Sequence, residues 1–240
     1  MTMLSSTQIP LHLNPQELYQ LNNFYFGQAE LASAVELFCN QIGRQQTDLS
    51  FLYLWGDKAS GKTHLSLAIA EQAQKNSKTM LYLPLAELVE TASPEVLQGV
   101  EDLNLLCLDE FEAIAGLPQW EEALFHCFNR LQQSGCQLLI ASRDNPATSA
   151  IQLADLRSRM ATGLVYQLDS LNDNAKQKVM MVQSQARGLE MAEEVAQYLL
   201  RHHSRDIIEL MALLQRLDKA SMAAQRRLTI PFVRQILLSA

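Results

Sequence analysis

The run Gly56-Asp57-Lys58-Ala59-Ser60-Gly61-Lys62-Thr63 follows the pattern G-x-x-x-x-G-K-[ST], between the apolar stretch Leu49 to Trp55 and a helix-like segment from His64 to Lys75. Strand, glycine-bearing loop, then helix is the setting of a phosphate-binding loop. The glycines let the backbone turn tightly, so that successive N–H groups and the helix N-terminus point at phosphate oxygens. Lys62 neutralises the terminal phosphates, and the Thr63 hydroxyl reaches Mg²⁺. The candidate nucleotide-binding residues in this segment are therefore Gly56, Ala59, Ser60, Gly61, Lys62, Thr63 and His64.

At 240 residues the chain exceeds one usual domain and can hold two packed units. A hydrophobic content of 48% with 19% charged residues is that of a globular protein. Apolar runs are too short for a membrane span, and the N-terminus lacks the basic-then-apolar order of a signal peptide, which predicts a soluble, cytoplasmic protein without membrane contact. Cys39, Cys107, Cys127 and Cys136 have no CxxC spacing and lie in apolar contexts, which predicts reduced, packed thiols rather than a disulfide or a zinc site. His202 and His203 are adjacent and would diverge by about 100° on a helix, so they read as helix-surface residues. The net charge of −7 is uneven: residues 1–175 carry 20 acidic and 9 basic side chains, residues 176–240 carry 6 and 10. The C-terminal excess reads as a solvated helix face more readily than as a nucleic-acid patch, because it contains no long basic run.

Strand-like apolar stretches recur at Leu49 to Trp55, Thr79 to Leu83, Leu103 to Leu108, Gln137 to Ala141 and Leu164 to Leu168, with helical patterns between them and one further helix, Leu31 to Ile42, ahead of the first. Short apolar strands alternating with helices imply a parallel sheet covered on both faces, a three-layer α/β domain over residues 26–170. After Asp169 only helix signals follow. Asn172-Asp173 can cap a helix ending at Gly188; another spans Met191 to His203; Ser204 can cap a third reaching about Gln225; Thr229 caps a last one with Pro231 in its first turn. Residues 171–240 thus form a small all-α bundle. Residues 1–25, with two prolines and an apolar cluster of no clear period, read as an extended or mobile arm.

A second chemical signal follows the loop. Leu105-Leu106-Cys107-Leu108-Asp109-Glu110 is an apolar strand ending in two acids. In nucleoside triphosphatases the first such acid holds Mg²⁺ through water and the second can polarise the attacking water, which makes Thr63 and Asp109 the candidate metal residues and Asp109 and Glu110 catalytic candidates. The next strand ends at Ser142-Arg143-Asp144-Asn145, where Ser142, Arg143 or Asn145 can sense the terminal phosphate; spacing does not choose among them. Leu156-Arg157-Ser158-Arg159 precedes the last strand, and an arginine there can face away from the core. Arginine stabilises charge spread over transferring phosphoryl oxygens, and Arg159 is the candidate.

The loop, the acid pair, the Leu-Arg-Ser-Arg box and the helical C-terminal unit together resemble the AAA+ superfamily, and within it the DnaA-related regulatory inactivators, the Hda-like proteins. The likeness extends to the tail Ala224-Gln225-Arg226-Arg227-Leu228-Thr229-Ile230-Pro231-Phe232-Val233-Arg234-Gln235-Ile236-Leu237, the segment Glu95-Val96-Leu97-Gln98-Gly99 and the arm Gln8-Ile9-Pro10-Leu11-His12-Leu13, so it covers nearly the whole chain. The resemblance implies an adaptor that carries ADP with Mg²⁺, although ATP or another nucleoside diphosphate also suits a phosphate loop. It implies tethering to the DNA polymerase III β sliding clamp and, through the clamp, to DNA. There it would promote hydrolysis of DnaA-bound ATP and so prevent re-initiation of replication. By the same resemblance Arg159 is the arginine finger acting in trans, Arg205 is a lid sensor for the protein's own nucleotide, and Gln8, Leu11 and Leu13 are clamp contacts. In an extended arm Leu11 and Leu13 fall on one side.

Two features depart from the DnaA pattern: Ser142-Arg143-Asp144 replaces Ser-Asp, and the short stretch after the lid predicts no helix-turn-helix domain and hence no sequence-specific DNA binding by this chain. AAA+ modules commonly associate head to tail, which leaves a homo-oligomer open. Two competing readings remain: an autonomous ATPase such as a helicase loader, for which Lys62, Asp109 and Glu110 argue, and a non-catalytic nucleotide-gated scaffold bridging clamp and DNA.

Overall fold

The computed structural model of the chain describes residues 19–44 and 51–238. Its described residues contain a five-stranded parallel sheet of β1 (Phe51–Trp55), β2 (Met80–Pro84), β3 (Leu105–Asp109), β4 (Gln137–Ser142) and β5 (Leu164–Gln167), in the spatial order β2-β3-β4-β1-β5. β1 lies inside the sheet, with Leu52 opposite both Leu139 of β4 and Leu164 of β5. Strand side chains alternate between faces. Leu52, Leu54, Leu105, Cys107 and Leu139 bury on one face against α1 (Ala29–Gln41) and α2 (Lys62–Lys75). Phe51, Tyr53, Leu106, Leu108, Leu138 and Ile140 bury on the other, against α3 (Leu85–Thr91), α4 (Pro118–Ser134) and α5 (Ala154–Met160). With both faces covered, strands need no polar alternation, which is why they read as continuous apolar runs. Each such Leu or Ile contributes roughly 1.5–3 kcal/mol by leaving water.

α4 opens on Pro118, whose missing N–H costs nothing at the first helical position, and closes on Gly135 in the left-handed conformation (φ 76°). In its first turn Glu121, 2% exposed, ties distant segments together. Its Oε1 accepts from Gly116 N at 2.7 Å, and its Oε2 accepts from Gln152 N at 3.0 Å and Leu153 N at 2.7 Å. One carboxylate thus anchors the backbone that leads into α5, the helix carrying Arg159.

Beyond β5 the described residues hold α6 (Asp173–Ala186), α7 (Glu193–His202), α8 (Ile207–Ala224) and α9 (Ile230–Leu238). Their core, including Met180, Val195, Leu199, Leu210, Leu213, Leu217 and Val233, is drawn from this unit alone. Asn172 caps α6, its Oδ1 accepting from Ala175 N at 2.8 Å. The cap of α8 differs from the sequence expectation. Asp206, not Ser204, accepts from Ile208 N at 2.7 Å, because the Ser204 hydroxyl is used two residues earlier, accepting from Asp206 N at 3.0 Å. Arg205 consequently lies in the turn before α8 rather than in a helical first turn.

Of residues 1–25, read from the sequence as an extended or mobile arm, the structure describes 19–25. Leu21–Asn23 form a 3-10 turn, and Asn23 is buried. Its carbonyl accepts from Gln183 Nε2 of α6 at 2.9 Å. Gln8, Leu11 and Leu13 lie outside the described residues. Cys107, Cys127 and Cys136 are buried free thiols and Cys39 is a half-buried one. Burial pushes the Cys39 and Cys136 thiols up to about 12 and Cys127 to about 11. Among the described residues no helix is long and apolar enough to cross a membrane.

Replacing Glu121 by Ala leaves the Gly116, Gln152 and Leu153 N–H groups without their acceptor, and is expected to cost about 3 kcal/mol or more in urea unfolding. A loss below ~1 kcal/mol would show that water replaces the carboxylate.

Candidate functional site

The loop between β1 and α2 is shaped by close approach. Gly56 N donates to the Ser142 carbonyl at 3.2 Å, and a Cβ on Gly56 would stand 2.3 Å from the Leu168 carbonyl oxygen. Any side chain there must push a strand end away. Ala59 is held at φ 64° and Gly61 at φ 100°, so the loop carries a left-handed non-glycine residue at a cost of about 1–2 kcal/mol. α2 begins at Lys62, two residues ahead of the helix expected from His64, and its N-cap, Gly61, makes no side-chain capping bond. The first-turn N–H groups and the positive helix end are thereby presented to an anion. Thr63 is exposed in this first turn.

Lys62 is buried, and its Nζ donates to the carbonyls of Gly56 at 2.7 Å and Asp57 at 2.8 Å, with Ser60 Oγ at 3.4 Å. Burial holds its pKa below the usual lysine value; Glu112, Asp109 and Asp57 oppose that shift, and Arg143 adds to it. Asp109, the last residue of β3, is 2% exposed; its Oδ2 accepts from Tyr82 Oη at 2.6 Å and its Oδ1 from Glu110 N at 2.9 Å. Glu110 follows in the left-handed region at φ 55°. Its carboxyl is raised by burial and by the neighbouring charges of Asp109 and Glu112, so it holds a proton more readily than a free glutamate.

Of the three sensor candidates, Ser142 meets the loop through its backbone carbonyl, and Ser142 and Arg143 are both tied to Glu112. Its Oε2 accepts from Ser142 Oγ at 3.2 Å and Arg143 N at 2.9 Å, and its Oε1 lies 3.0 Å from Arg143 Nε. Asn145 instead turns on its own loop, its Oδ1 accepting from Ala147 N at 2.9 Å. His64 points into the N-terminal segment. Its Nε2 lies 3.2 Å from Asn23 Oδ1, and its ring sits edge-on to Tyr19 and Phe24. Burial, helped by the Arg187 charge, lowers its pKa to about 4.

Arg205 pairs with Asp173 on the lid itself, 3.7 Å away, with 73% of its side chain exposed. Two other lid cations act toward the N-terminal segment and α2: Lys178, whose Nζ lies 5.8 Å from the Tyr25 ring centre, and Arg187, whose charge reaches His64 and whose Nη1 donates to the Gln183 carbonyl at 2.6 Å. Arg159 is half-buried on α5, between the buried Leu156 and Met160 that pin the helix. Its guanidinium leans on α4, with Nη1 3.2 Å from Gln132 Oε1 and the carbon 5.8 Å from the Phe128 ring centre. It is not locked in the core. Tyr82, Glu112, Gln183 and Arg187 were not singled out by the sequence; only Glu112, two residues past the acid pair, carried a local signal.

The loop fits a nucleotide's phosphates: it offers an uncapped helix N-terminus, glycine at the point of closest backbone approach, and a buried lysine now spending its donors on loop carbonyls. Mg²⁺ fits as well, since Thr63 and Asp109 would supplement phosphate oxygens and water rather than form an all-protein cage. Among the described residues no three His, Cys, Asp or Glu side chains gather as such a cage.

Residues 15–167 match the family described as the bacterial DnaA ATPase domain, and residues 173–237 match the lid domain of Hda. The chain belongs to the bacterial DnaA ATPase family. A protein of Haemophilus influenzae described as uncharacterized is 40% identical over 233 residues, spanning 96% of this chain and 98% of its own. AMPPCP-bound DnaA from Aquifex aeolicus is 25% identical with a TM-score of 0.66, covering 85% of this chain; the match spans 66% of that DnaA. Domain III of Thermotoga maritima DnaA covers 94% of this chain and 97% of its own at 21% identity, with a TM-score of 0.72, a likeness of fold. The AAA+ core and the Hda-type lid thus account for the two units.

The unfolded imidazole of His64 titrates near 6.5 and the folded one near 4, so the unfolded chain takes up its proton first as pH falls. The neutral ring's contribution, roughly 3 kcal/mol, is present above pH 6.5 and lost toward pH 4. Urea unfolding of wild type and His64→Phe should therefore differ in pH slope across this window. Parallel slopes would contradict the buried neutral imidazole.

Proposed function

We propose that this protein is a nucleotide-bound regulator of DnaA that supplies an arginine to DnaA's ATP site. The observation that carries the reading is a DnaA-type ATPase core joined to an Hda-type lid, with Arg159 on the flank of a helix that Leu156, Met160 and the Glu121 anchor hold in place. In the complex Arg159 would leave Gln132 and place its charge on the γ-phosphate of DnaA-bound ATP, an effect worth about 10³ to 10⁵ in rate for such arginines. DnaA would be left with ADP.

The chain's own loop is assigned ADP, with Gly56, Ala59, Ser60, Gly61 and the α2 N-terminus around its phosphates and Lys62 as the neutralising charge. Thr63 and Asp109 are assigned Mg²⁺, which when bound offsets phosphate charge. Arg205 would have to exchange Asp173 for the nucleotide to act as a lid sensor; Gln183, to which Arg187 is bonded, already couples the lid to the segment that touches His64. Gln8, Leu11 and Leu13 are assigned to the DNA polymerase III β sliding clamp, which would bring the protein to DNA. Head-to-tail contact with DnaA, or with a second copy, is the arrangement this reading assigns, as is common for AAA+ modules.

The autonomous ATPase reading is favoured by Asp109 and Glu110 at the end of β3. The measurement that separates the readings is hydrolysis of DnaA-bound ATP with and without clamp-loaded DNA. Arg159→Ala is expected to remove the stimulation by about 10³-fold or more while leaving nucleotide bound to the variant. Gln8→Ala is expected to remove only the clamp-dependent part. Full stimulation by Arg159→Ala would overturn the proposal, and ATP turnover by the purified protein alone at the same rate would favour the autonomous enzyme.

A further inference from the structure

Glu112 makes a set of bonds that no motif assigns to it. Ser142 and Arg143 end the strand next to the phosphate loop: Trp55 is in register with Ser142, and Gly56 N donates to the Ser142 carbonyl at 3.2 Å. Lys62, bonded to the Gly56 carbonyl at 2.7 Å, adjoins this strand end, where a hydroxyl, a backbone N–H and a guanidinium are the donors a further phosphate group could use. All three are engaged by one carboxylate: Ser142 Oγ at 3.2 Å and Arg143 N at 2.9 Å on Oε2, and Arg143 Nε at 3.0 Å on Oε1. The Glu112 carboxylate favours the charged form of Lys62, more strongly than Asp109 does, and disfavours that of Glu110, so its charge is felt at the phosphate site.

The local charge balance points the same way. Asp57, Asp109 and Glu112 act on Lys62, with Glu110 beside them, and Arg143 is a further cation whose charge reaches both Lys62 and Glu110. Its guanidinium is already paired. A diphosphate bound through the loop N–H groups and Lys62 leaves this arrangement intact. A γ-phosphate would bring additional negative charge against Glu112 and Glu110, and would have to compete for donors already in use. In a partly desolvated site neither effect is fully screened.

We propose that Glu112 is an internal stand-in for the terminal phosphate: by holding Ser142 and Arg143 it sets the site to prefer a nucleoside diphosphate over a triphosphate. This rests on the reading of the loop as a nucleotide site, and it adds the residue that decides between the two ligands. Glu112 is a specificity-determining residue here, touching the sensor turn rather than a reacting atom. Arg143 is its counter-charge, so the two have opposite roles: Glu112 repels the γ-phosphate, and Arg143 moderates that repulsion.

The test measures equilibrium binding of ADP and of non-hydrolysable AMPPCP, each with Mg²⁺, to the full chain and to Glu112→Gln, Arg143→Ala, Lys62→Ala and the surface control Glu90→Gln. Wild type and Glu90→Gln are expected to bind ADP the more tightly. Glu112→Gln keeps the shape, removes the charge, and should move the AMPPCP-to-ADP affinity ratio toward AMPPCP by roughly tenfold or more. Arg143→Ala leaves Glu112 unpaired and should move the ratio the other way, which keeps the test decisive if one variant folds poorly. An unchanged ratio in a folded Glu112→Gln, or the same direction of change in both variants, overturns the proposal. If wild type binds neither nucleotide, or Lys62→Ala binds both as well as wild type does, it is instead the assignment of the loop as a nucleotide site that fails.

Discussion

The structure depends on how tightly Gly56 is held between two strand ends. Its N–H is bonded to the carbonyl of Ser142, and its α-carbon faces the carbonyl of Leu168 with no space for a side chain. Because β1 lies between β4 and β5, the phosphate loop emerges where three strand ends converge. β3, on the far side of β4, delivers Asp109 and Glu110; β4 delivers Ser142 and Arg143; β5 passes directly into the segment that leads to the lid. A parallel sheet collects loops at the C-terminal edges of its strands, and its buried order decides which loops meet. The site is thus a consequence of strand order as much as of the loop's own residues.

Within that frame the electrostatics are unusual in being closed on themselves. Lys62 donates its hydrogen bonds to loop carbonyls, Asp109 is held by Tyr82, and Glu112 gathers the polar end of β4. Buried polar groups must find partners, and each contact formed internally is one that an incoming ligand has to replace. Lys62 can exchange weakly basic carbonyls for charged phosphate oxygens with net gain. Glu112 cannot be exchanged for a phosphate without leaving a carboxylate and a phosphate close together. That asymmetry separates the part of the site that accepts a ligand from the part that resists a larger one. The lid is linked to the same region through Gln183, Asn23 and His64, a chain of contacts that joins α6 to the first turn of α2.

Much of this was legible in the chain. The five apolar runs became five strands with ends shifted by no more than a few residues, because burial on both faces imposes a pattern strong enough to read without context. The phosphate loop and the acid pair were legible because their chemistry demands particular residue types at fixed spacing. What escaped were contacts between residues far apart in sequence. Glu121 reaches Gln152 and Leu153, and Gln183 reaches Asn23; single-residue propensity carries no trace of either. Ser204 and Asp206 compete as caps two residues apart, and the sequence offered no reason to prefer the second. Arg205 was assigned as a lid sensor by resemblance alone and here pairs with Asp173, whereas Arg187, with no local signal, is the arginine whose charge reaches His64.

On the proposed reading, this protein completes an active site on DnaA and keeps its own in a diphosphate state. The direct measurement places labelled γ-phosphate on one partner at a time, first in ATP loaded on DnaA and then in ATP loaded on this protein, and follows phosphate release on clamp-loaded DNA. The account predicts release from DnaA and none above background from this protein. Release from this protein, with the DnaA-bound label retained, would contradict it.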